Sequence, residues 1–334
     1  MPSVNQRGRV LLVLGCLIAL AIAAPYIGPF LLILLIQALI FGILAMSLDV
    51  LLGFTGLASL GQAAYLGVGA YVTAIFATRY EMGLGWDFIL VLGIGTVAAA
   101  LTAALFGLIA IRATGVYFLM ITLALGMCTW GLAYRWNSLT GGDNGLNVLF
   151  RPVVGIDLAD DLTFFYVVWG FFVLTLSVLY LLVRSPFGRS LEGIRESEPR
   201  MRMLGYHTWL HKYLAFIIAG GFGGLSGVLW VHLAGIISPE DIILTTSVDA
   251  LLMVVLGGPG TLIGGAIGAA VVVFIREYLS TQIGWWQYIL GVVYIATILY
   301  LPDGLMGIPA RLRQRRQQPE AEAAPVVAPS ASSQ

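Results

Sequence analysis

The feature of this sequence that most restricts its fold is a series of apolar segments, each long enough to cross a lipid bilayer as a helix. About 20 consecutive apolar residues span the hydrocarbon core of a membrane. We predict one short apolar piece at 248–257 and nine full segments, at residues 10–28, 31–52, 57–78, 88–110, 115–134, 162–183, 213–235, 260–280 and 286–303. The expected fold is therefore all-α, a polytopic transmembrane helix bundle of about nine to ten membrane segments.

The small number of charged residues excludes a soluble fold. Only 10% of the residues are charged and 59% are hydrophobic, whereas soluble domains carry about 25% charged residues. A water-soluble protein of this length could not cover its surface with so few charges. Two cysteines, Cys16 and Cys128, lie far apart in apolar segments without metal-ligand spacing, and we expect both to be small residues of the apolar core.

The first residues resemble a signal peptide, because a basic start precedes an apolar run with alanines near its end. We instead expect a retained first helix, since the whole chain requires membrane insertion in any case. The two alternatives differ in the number of spans and not in the class of protein.

Arginine and lysine in the loops predict orientation, since these residues concentrate on the cytoplasmic side of a membrane. The loop 184–212 carries six basic residues, and the tail carries four arginines between positions 311 and 316. The loop 135–161 holds more aspartates than arginines and suits the outside. We therefore expect both termini to be cytoplasmic.

A glycine-rich turn near the end of the chain predicts a broken helix. From the outer end of the span 213–235, only an odd number of crossings returns the tail to the cytoplasm. The piece 248–257 must then count as a crossing that breaks before the next span. Broken helices are tolerated where their backbone groups face protein or a water-filled cavity. We therefore place this turn inside the bundle, near a pathway, with a plain surface turn as the alternative; its residues are Gly257, Gly258, Pro259 and Gly260.

The same turn takes part in a weak internal repeat. Residues 47–52 resemble residues 247–252, and each segment is followed by a glycine-bearing break. Paired, glycine-interrupted apolar segments point to a transport site at the interface of two repeats, while chance similarity between apolar segments is the alternative. The pathway candidates are therefore the four turn residues together with Gly53, Gly56, Gly61 and Gln62.

Two carboxylates, Asp49 and Asp249, are the notable charges within the apolar segments. An ionisable residue inside a membrane is a functional candidate by default, and an ion-coupled transporter would use such groups. Both aspartates lie near helix ends or breaks, however, where a carboxylate complements the helix dipole. We expect a capping and interface role, with direct ion coupling as the alternative.

The sequence argues against an enzyme. It holds no histidine, cysteine or paired-carboxylate cluster, so we expect no catalytic residue, no metal site and no cofactor. A phosphate-binding P-loop requires a lysine after a glycine-rich loop, and the single lysine, Lys212, follows no such loop. Any energy from ATP must therefore come from a partner.

The loop 184–212 is predicted to form short helices. The first should start near residue 188, and Ser197-Glu198-Pro199 is typical of a second helix start, with Gly205 as its stop. Short amphipathic helices on the cytoplasmic face would give a partner a surface to push on. A solvated basic loop that merely follows the charge rule is the alternative.

Several separate motifs, in order, resemble the permease subunits of branched-chain amino-acid ABC importers, and in particular the longer of the two paralogous permeases. The resemblance covers roughly residues 38–308, and its motifs are at 47–71, 115–126, 136–146, 194–205, 253–269 and 301–308. It implies a bacterial inner-membrane subunit that translocates branched-chain amino acids or a related small polar solute. An ATPase-independent secondary transporter or channel for small solutes such as urea or amides is the alternative.

The family resemblance also implies site residues and partners. Arg195, Glu196 and Gly205 match the ATPase-coupling motif of the family. The implied partners are a paralogous permease, two cytoplasmic ATP-binding subunits, a periplasmic or lipid-anchored solute-binding protein and membrane lipid, with no nucleic acid. This chain departs from many relatives at residues 199–201, where they carry alanines, and at Gln62, where they carry histidine. Relatives carry urea, short amides and aromatic acids as well as leucine, isoleucine and valine.

We divide the chain accordingly into two parts. Residues 1–309 should form the transmembrane permease domain, which includes the cytoplasmic coupling loop 184–212. Residues 310–334 should form a cytoplasmic tail that is first basic and then disordered, because it lacks large apolar residues to bury.

Overall fold

The structure is a computed structural model, and its described residues are almost entirely helical. It describes residues 15–80, 87–148 and 160–282, together with 288, 289, 291, 292, 294, 295, 299 and 304–307. The helices are α1 (Gly15–Tyr26), α2 (Pro29–Asp49), α3 (Gln62–Arg79), α4 (Phe88–Ala110), α5 (Val116–Arg135), α6 (Asn137–Thr140), α7 (Asp161–Arg184), α8 (Pro186–Glu196), α9 (Glu198–Met203), α10 (Thr208–Ala234), α11 (Leu244–Gly257) and α12 (Ile263–Gln282). Within these residues the only strands are β1 (Leu146–Asn147) and β2 (Ile236–Ile237).

The predicted multi-pass helical bundle is confirmed. By length and apolar composition, six helical stretches of the described chain suffice to cross a membrane; they are Pro29–Thr55, Phe88–Ala110, Val116–Arg135, Asp161–Arg184, Thr208–Ala234 and Ile263–Ser280. The helix α3 has 18 residues and a lower hydropathy, because alanine and glycine replace larger side chains along it. Most of the predicted span 286–303 and all of the predicted tail 310–334 lie outside the described residues.

Two predicted helix boundaries are wrong. The third span was expected to begin at residue 57, but residues 57–61 are not helical and α3 begins at Gln62. Apolar and small residues continue through this stretch, so hydropathy alone cannot detect the break. The seventh span was expected from residue 213, whereas α10 begins at Thr208 and its first turn belongs to the polar loop.

The bundle has inner and outer helices. Every residue of α2 from Ile36 to Asp49 is buried, and α10 buries most of its length from Ala215 onward. The helix α2 packs against α7, α10, α11 and α12, and α10 packs against α3 and α4. The helices α5 and α7 bury far fewer residues than α2, as helices on the rim of a membrane bundle do.

The expectation that both cysteines belong to the core is wrong. Cys16 on α1 and Cys128 on α5 are both exposed at the surface of the bundle. Lipid tails and a protein core are equally apolar, so an apolar segment does not reveal which of its faces is buried.

Close packing of the inner helices depends on glycine. A methyl group on Gly69 of α3 would overlap the backbone of Gly224 on α10, and one on Gly227 of α10 would overlap the backbone of Leu66 on α3. Small residues that allow two backbones to meet are the usual means by which helices associate in lipid.

The two ends of the bundle carry different structures. At one end, the α8 end, lie α8, α9, the turn after α2 and the turn between α11 and α12. At the other, the β end, Leu146 of β1 pairs antiparallel with Ile237 of β2. The helix α11 runs toward the α8 end and α12 runs back. Gly304 lies beside Gly258 and so is again at the α8 end, as the predicted odd number of crossings requires.

Candidate functional site

The first predicted break follows α2 directly. A π-helical turn, Val50–Thr55, continues the helix and ends at Gly56, whose φ of 77° is left-handed. The chain is then non-helical until Gln62 starts α3. Single π turns in helices are frequent at functional sites. The predicted break near Gly53–Gly61 is therefore present as a widened turn followed by an unwound segment.

The second predicted break lies at the α8 end of the bundle rather than in the middle of one bent span. The helix α11 ends at Gly257, and Gly258 and Gly260 have φ values of 109° and 83°. Gly257 and Gly258 are buried, so the turn is not a plain surface turn. Leu262 has a φ of 48°, which is uncommon for a branched side chain and persists only where its surroundings hold it.

The carboxylate of Asp49 joins the two breaks. Its Oδ1 accepts a hydrogen bond of 2.7 Å from the backbone N–H of Gly260, and its Oδ2 accepts one of 2.8 Å from that of Leu262. Asp49 is fully buried. These two amides precede α12, where a negative charge also complements the positive end of the helix dipole. Asp49 therefore caps α12 with both of its oxygens.

Arg195 connects the loop helix α8 to the same place. Its guanidinium Nη1 donates a hydrogen bond to the backbone carbonyl oxygen of Gly53 in the π turn. The stem of the side chain packs on Gly56, where an added Cβ would lie 3.1 Å from Cγ of Arg195. We call Asp49, Gly53, Arg195, Gly260 and Leu262 the coupling node, because they join α8 to both breaks.

The two short loop helices confirm the sequence prediction. The hydroxyl of Ser185 accepts a hydrogen bond of 3.3 Å from the N–H of Gly188 and caps α8. Gly205 ends α9 with a φ of 86°. The N–H of Tyr206 bonds the carbonyl of Met201 at 3.1 Å, which is the Schellman pattern that favours glycine at this position. Gly205 thus has a structural role as a helix stop.

Glu198 was predicted only as part of the start of the second loop helix, and its side-chain contacts were not foreseen. Its Oε1 accepts hydrogen bonds from Arg202 at 2.7 Å and from Thr208 at 3.2 Å, and its Oε2 pairs with Lys212. These contacts join α9 to the first turns of α10. Burial alone would raise the pKa of Glu198, but the hydrogen bonds and positive charges of Lys212 and Arg202 outweigh burial and hold the pKa below its ordinary value.

Acidification is expected to release α9 from α10. Because the folded pKa of Glu198 is lowered, its stabilising contribution is complete above the ordinary glutamate pKa of about 4.3 and is lost as the pH falls through the lowered value. Hydrogen exchange of residues 198–204, followed from about pH 7 to about pH 3 and corrected for intrinsic rates, should show this loss of protection. Glu198→Gln is the control and should exchange faster at neutral pH. Protection independent of both pH and this substitution would contradict the role of Glu198.

The remaining predicted site residues lie elsewhere. Glu196 is exposed at the end of α8. The expected capping role is wrong for Asp249, because α11 begins at Leu244, five residues earlier. Asp249 instead faces Arg276 of α12 at 3.5 Å. Gly61 and Gln62 lie at the start of α3, away from the coupling node, where the hydroxyl of Ser247 accepts a hydrogen bond of 2.9 Å from the N–H of Ala63.

The weak sequence repeat thus has a partial structural counterpart. Asp49, from the first copy, caps the helix that follows the second break. Ser247, from the second copy, bonds the helix that follows the first break. The two segments exchange contacts across the bundle, although Asp249 takes no part in this exchange.

The chain is therefore a multi-pass helical membrane protein in which two broken helices are joined to a loop helix. Residues 30–301 match the family model described as the permease component of branched-chain amino acid transport systems. The chain belongs to this family, as its sequence motifs predicted. It is a transport permease and not an enzyme.

Curated relatives agree with this membership. The high-affinity branched-chain amino acid transport system permease protein LivM of Escherichia coli is 30% identical over 292 residues, which cover 80% of this chain and 68% of the relative. LivM of Salmonella typhimurium is 29% identical over 294 residues, with 81% and 68% covered. The autoinducer 2 import system permease protein LsrC of Salmonella paratyphi B is 27% identical over 209 residues, with 56% and 55% covered. No solved structure matches the chain.

Proposed function

We propose that this chain is a permease subunit of an ABC-type importer that moves branched-chain amino acids, or a related small polar solute, into the cell. Two cytoplasmic ATPase subunits supply the energy, a paralogous permease completes the pathway, and a periplasmic or lipid-anchored binding protein delivers the solute. The α8 end faces the cytoplasm, since the loop 184–212 carries six basic residues. The membrane is the bacterial inner membrane.

The observation that carries this proposal is the bond between Arg195 of α8 and the carbonyl of Gly53. A partner that displaces α8 also displaces the π turn after α2. Through Asp49 the displacement reaches the turn before α12. The loop helix is thus connected to both broken helices. Such a connection is required if a partner subunit supplies the energy that moves them.

The outer surface of the loop is suited to a protein partner. Met203 and Leu204, at the end of α9, are 88% and 67% exposed, and Tyr206 beside them is 46% exposed. An open groove next to them is lined by residues 206–210 and Arg202. Large apolar side chains that cluster in a polar, arginine-rich loop mark an interaction surface. Glu196, exposed at the end of α8, forms no ion pair within the described residues and can meet a basic residue of the partner.

The same geometry disfavours an ion-coupled secondary transporter. Both oxygens of Asp49 are occupied by backbone amides, and Asp249 has Arg276 as its partner. A carboxylate that carries a proton or a sodium ion must exchange its partners during transport. Asp49 instead holds the turn before α12 in place.

The choice of solute rests on the relatives. The two LivM proteins, which match about 80% of this chain, are named for branched-chain amino acid transport, and LsrC, which matches 56% of it, is named for import of autoinducer 2.

The binding protein docks on the β end, where α6, the Pro239–Ile242 turn and the β1–β2 pair form the surface.

Glu196→Arg is expected to abolish ATP-driven uptake without impairing membrane insertion. The substitution reverses an exposed charge on the loop to which the ATPase subunits are proposed to bind. Uptake of labelled leucine into proteoliposomes that hold the complete complex, and co-purification of the ATPase subunits, measure the effect. Glu192→Arg reverses a charge on the same helix one turn earlier and should have the smaller effect. Unchanged uptake by the Glu196 variant would refute the docking role. Proton-driven uptake by this chain alone would refute the ABC mechanism.

A further inference from the structure

The first turn of α3 is a second polar site inside the bundle, distinct from the coupling node. The N–H of Leu60 donates to the hydroxyl of Thr122 on α5 at 3.1 Å, and the N–H of Gly61 donates to that of Ser59 at 3.2 Å. The N–H of Ala63 donates to the hydroxyl of Ser247 on α11 at 2.9 Å. All three acceptors are neutral hydroxyls, and the three hydroxyl-bearing residues are buried.

Gln62, in the middle of this turn, has a buried amide that is unpaired within the described residues. Its side chain is fully buried, and neither its Oε1 nor its Nε2 makes a hydrogen bond to any residue that the structure describes. Its Oε1 faces α10, where an added Cβ on Gly223 would lie 3.1 Å away. Buried amides are almost always paired, since an unpaired buried polar group is costly. We therefore expect the amide of Gln62 to form a hydrogen bond in another conformation of the protein.

The two helix N-termini that follow the breaks differ in charge. The start of α12 already holds the carboxylate of Asp49. The start of α3 has only hydroxyls among the described residues, so its N–H groups are paired, but no bound carboxylate complements the positive end of its dipole. Such an N-terminus is a site for an anionic group.

The depth of this turn suits a translocation pathway. Ser247 lies ten residues before Gly257 along α11, a distance of about 15 Å at the rise of an α-helix. This distance is half the thickness of a hydrocarbon core of about 30 Å. Transporters of several folds hold the anionic group of a solute near the midplane, at the N-terminus of a broken helix.

We propose that the first turn of α3 is a transient subsite for the carboxylate of the transported solute, with Gln62 as the side chain that contacts it. This inference rests on the proposed function and assigns a place for the solute within the pathway. As the bundle opens, the carboxylate replaces the hydroxyls of Thr122 and Ser247 on the backbone N–H groups, and the amide Nε2 of Gln62 donates to it. The subsite selects zwitterionic solutes over cations.

Gln62→Leu tests the subsite, because it keeps the volume of the side chain and removes the amide. In the complete complex, leucine uptake per ATP hydrolysed is expected to fall about tenfold, as when one hydrogen bond to a charged group is lost. The thermal unfolding midpoint should stay the same or rise, since an unpaired buried group has been removed. Co-purification of the ATPases should not change, which separates this variant from Glu196→Arg.

Thr175→Val is the matched control. Thr175 on α7 is also fully buried, and its side-chain oxygen is unpaired within the described residues. It lies on a helix that contains neither break, so its substitution should leave uptake unchanged. If the wild-type complex takes up leucine and the Gln62→Leu complex takes it up equally well, the proposed carboxylate subsite is refuted. The proposed function is not affected by that result. A lowered unfolding midpoint of Gln62→Leu would also refute the subsite, because the amide would then stabilise the fold. Absence of ATP-driven uptake by the wild-type complex would refute the proposed function itself.

Discussion

Asp49→Ala is expected to destabilise the protein and to abolish uptake. The substitution leaves the N–H groups of Gly260 and Leu262 without acceptors, at a cost of about 1–3 kcal/mol for each group. Leu262 also loses the contact that holds its left-handed backbone, with its φ of 48°. The thermal unfolding midpoint of the purified protein in detergent, and leucine uptake by the reconstituted complex, measure the two effects.

Asp249→Ala is the matched control for this prediction. Asp249 has the corresponding place in the sequence repeat, but its structural partner is the side chain of Arg276 at 3.5 Å. Loss of a partly exposed ion pair costs little, with a typical value of about 0–1 kcal/mol. Equal unfolding midpoints for the two variants would show that the backbone contacts of Asp49 do not stabilise the turn.

Gly53→Ala is expected to disrupt the coupling node by overpacking. A methyl group at this position would overlap the backbone nitrogen of Gly260 and Oδ1 of Asp49. A backbone turn and a carboxylate bound to that turn cannot move apart without loss of their hydrogen bonds. Overpacking of this kind costs about 1–3 kcal/mol, and the loss of the Asp49 contacts adds to it. A large fall in the unfolding midpoint and loss of uptake should follow.

Gly93→Ala separates this local effect from a general sensitivity to glycine substitution. Gly93 lies inside α4, and no atom approaches within 4 Å of an added Cβ. Alanine is a better helix former than glycine by up to about 1 kcal/mol, so this control should be neutral or stabilising. If Gly53→Ala were as stable and as active as Gly93→Ala, the close contact between the two breaks would be refuted.

The residues of the predicted coupling motif show which features of the site can be predicted from the sequence. The resemblance placed Arg195, Glu196 and Gly205 in one functional motif, but their environments differ. Arg195 bonds a backbone carbonyl 142 residues away, Gly205 ends a helix, and Glu196 is an exposed charge at the end of α8. A backbone carbonyl carries no side-chain signature, so no pattern could reveal the acceptor of Arg195.

The contacts of Glu198 and those of Gln62 differ in whether the sequence could have predicted them. Glu198 and Arg202 are four residues apart, a spacing that indicates a helical ion pair once α9 is predicted. Gln62 was chosen as a pathway candidate, but its side chain is buried against α10, which is distant in sequence and offers it no hydrogen bond within the described residues. The spacing of Glu198 and Arg202 is visible within one helix, whereas the surroundings of Gln62 form only when distant helices pack.

The sequence by itself determined the class of the protein, most of its membrane helices and the two short loop helices. These features depend on the length of apolar segments and on the chemistry of caps and turns, which act within a few residues. The tertiary structure alone decided that Cys128 faces outward, that Asp49 caps α12 and that Arg195 bonds the π turn. Lipid and protein interior are equally apolar, and backbone partners are the same at every position. Which face is buried, and which amide meets which carboxylate, is therefore settled only when the helices pack.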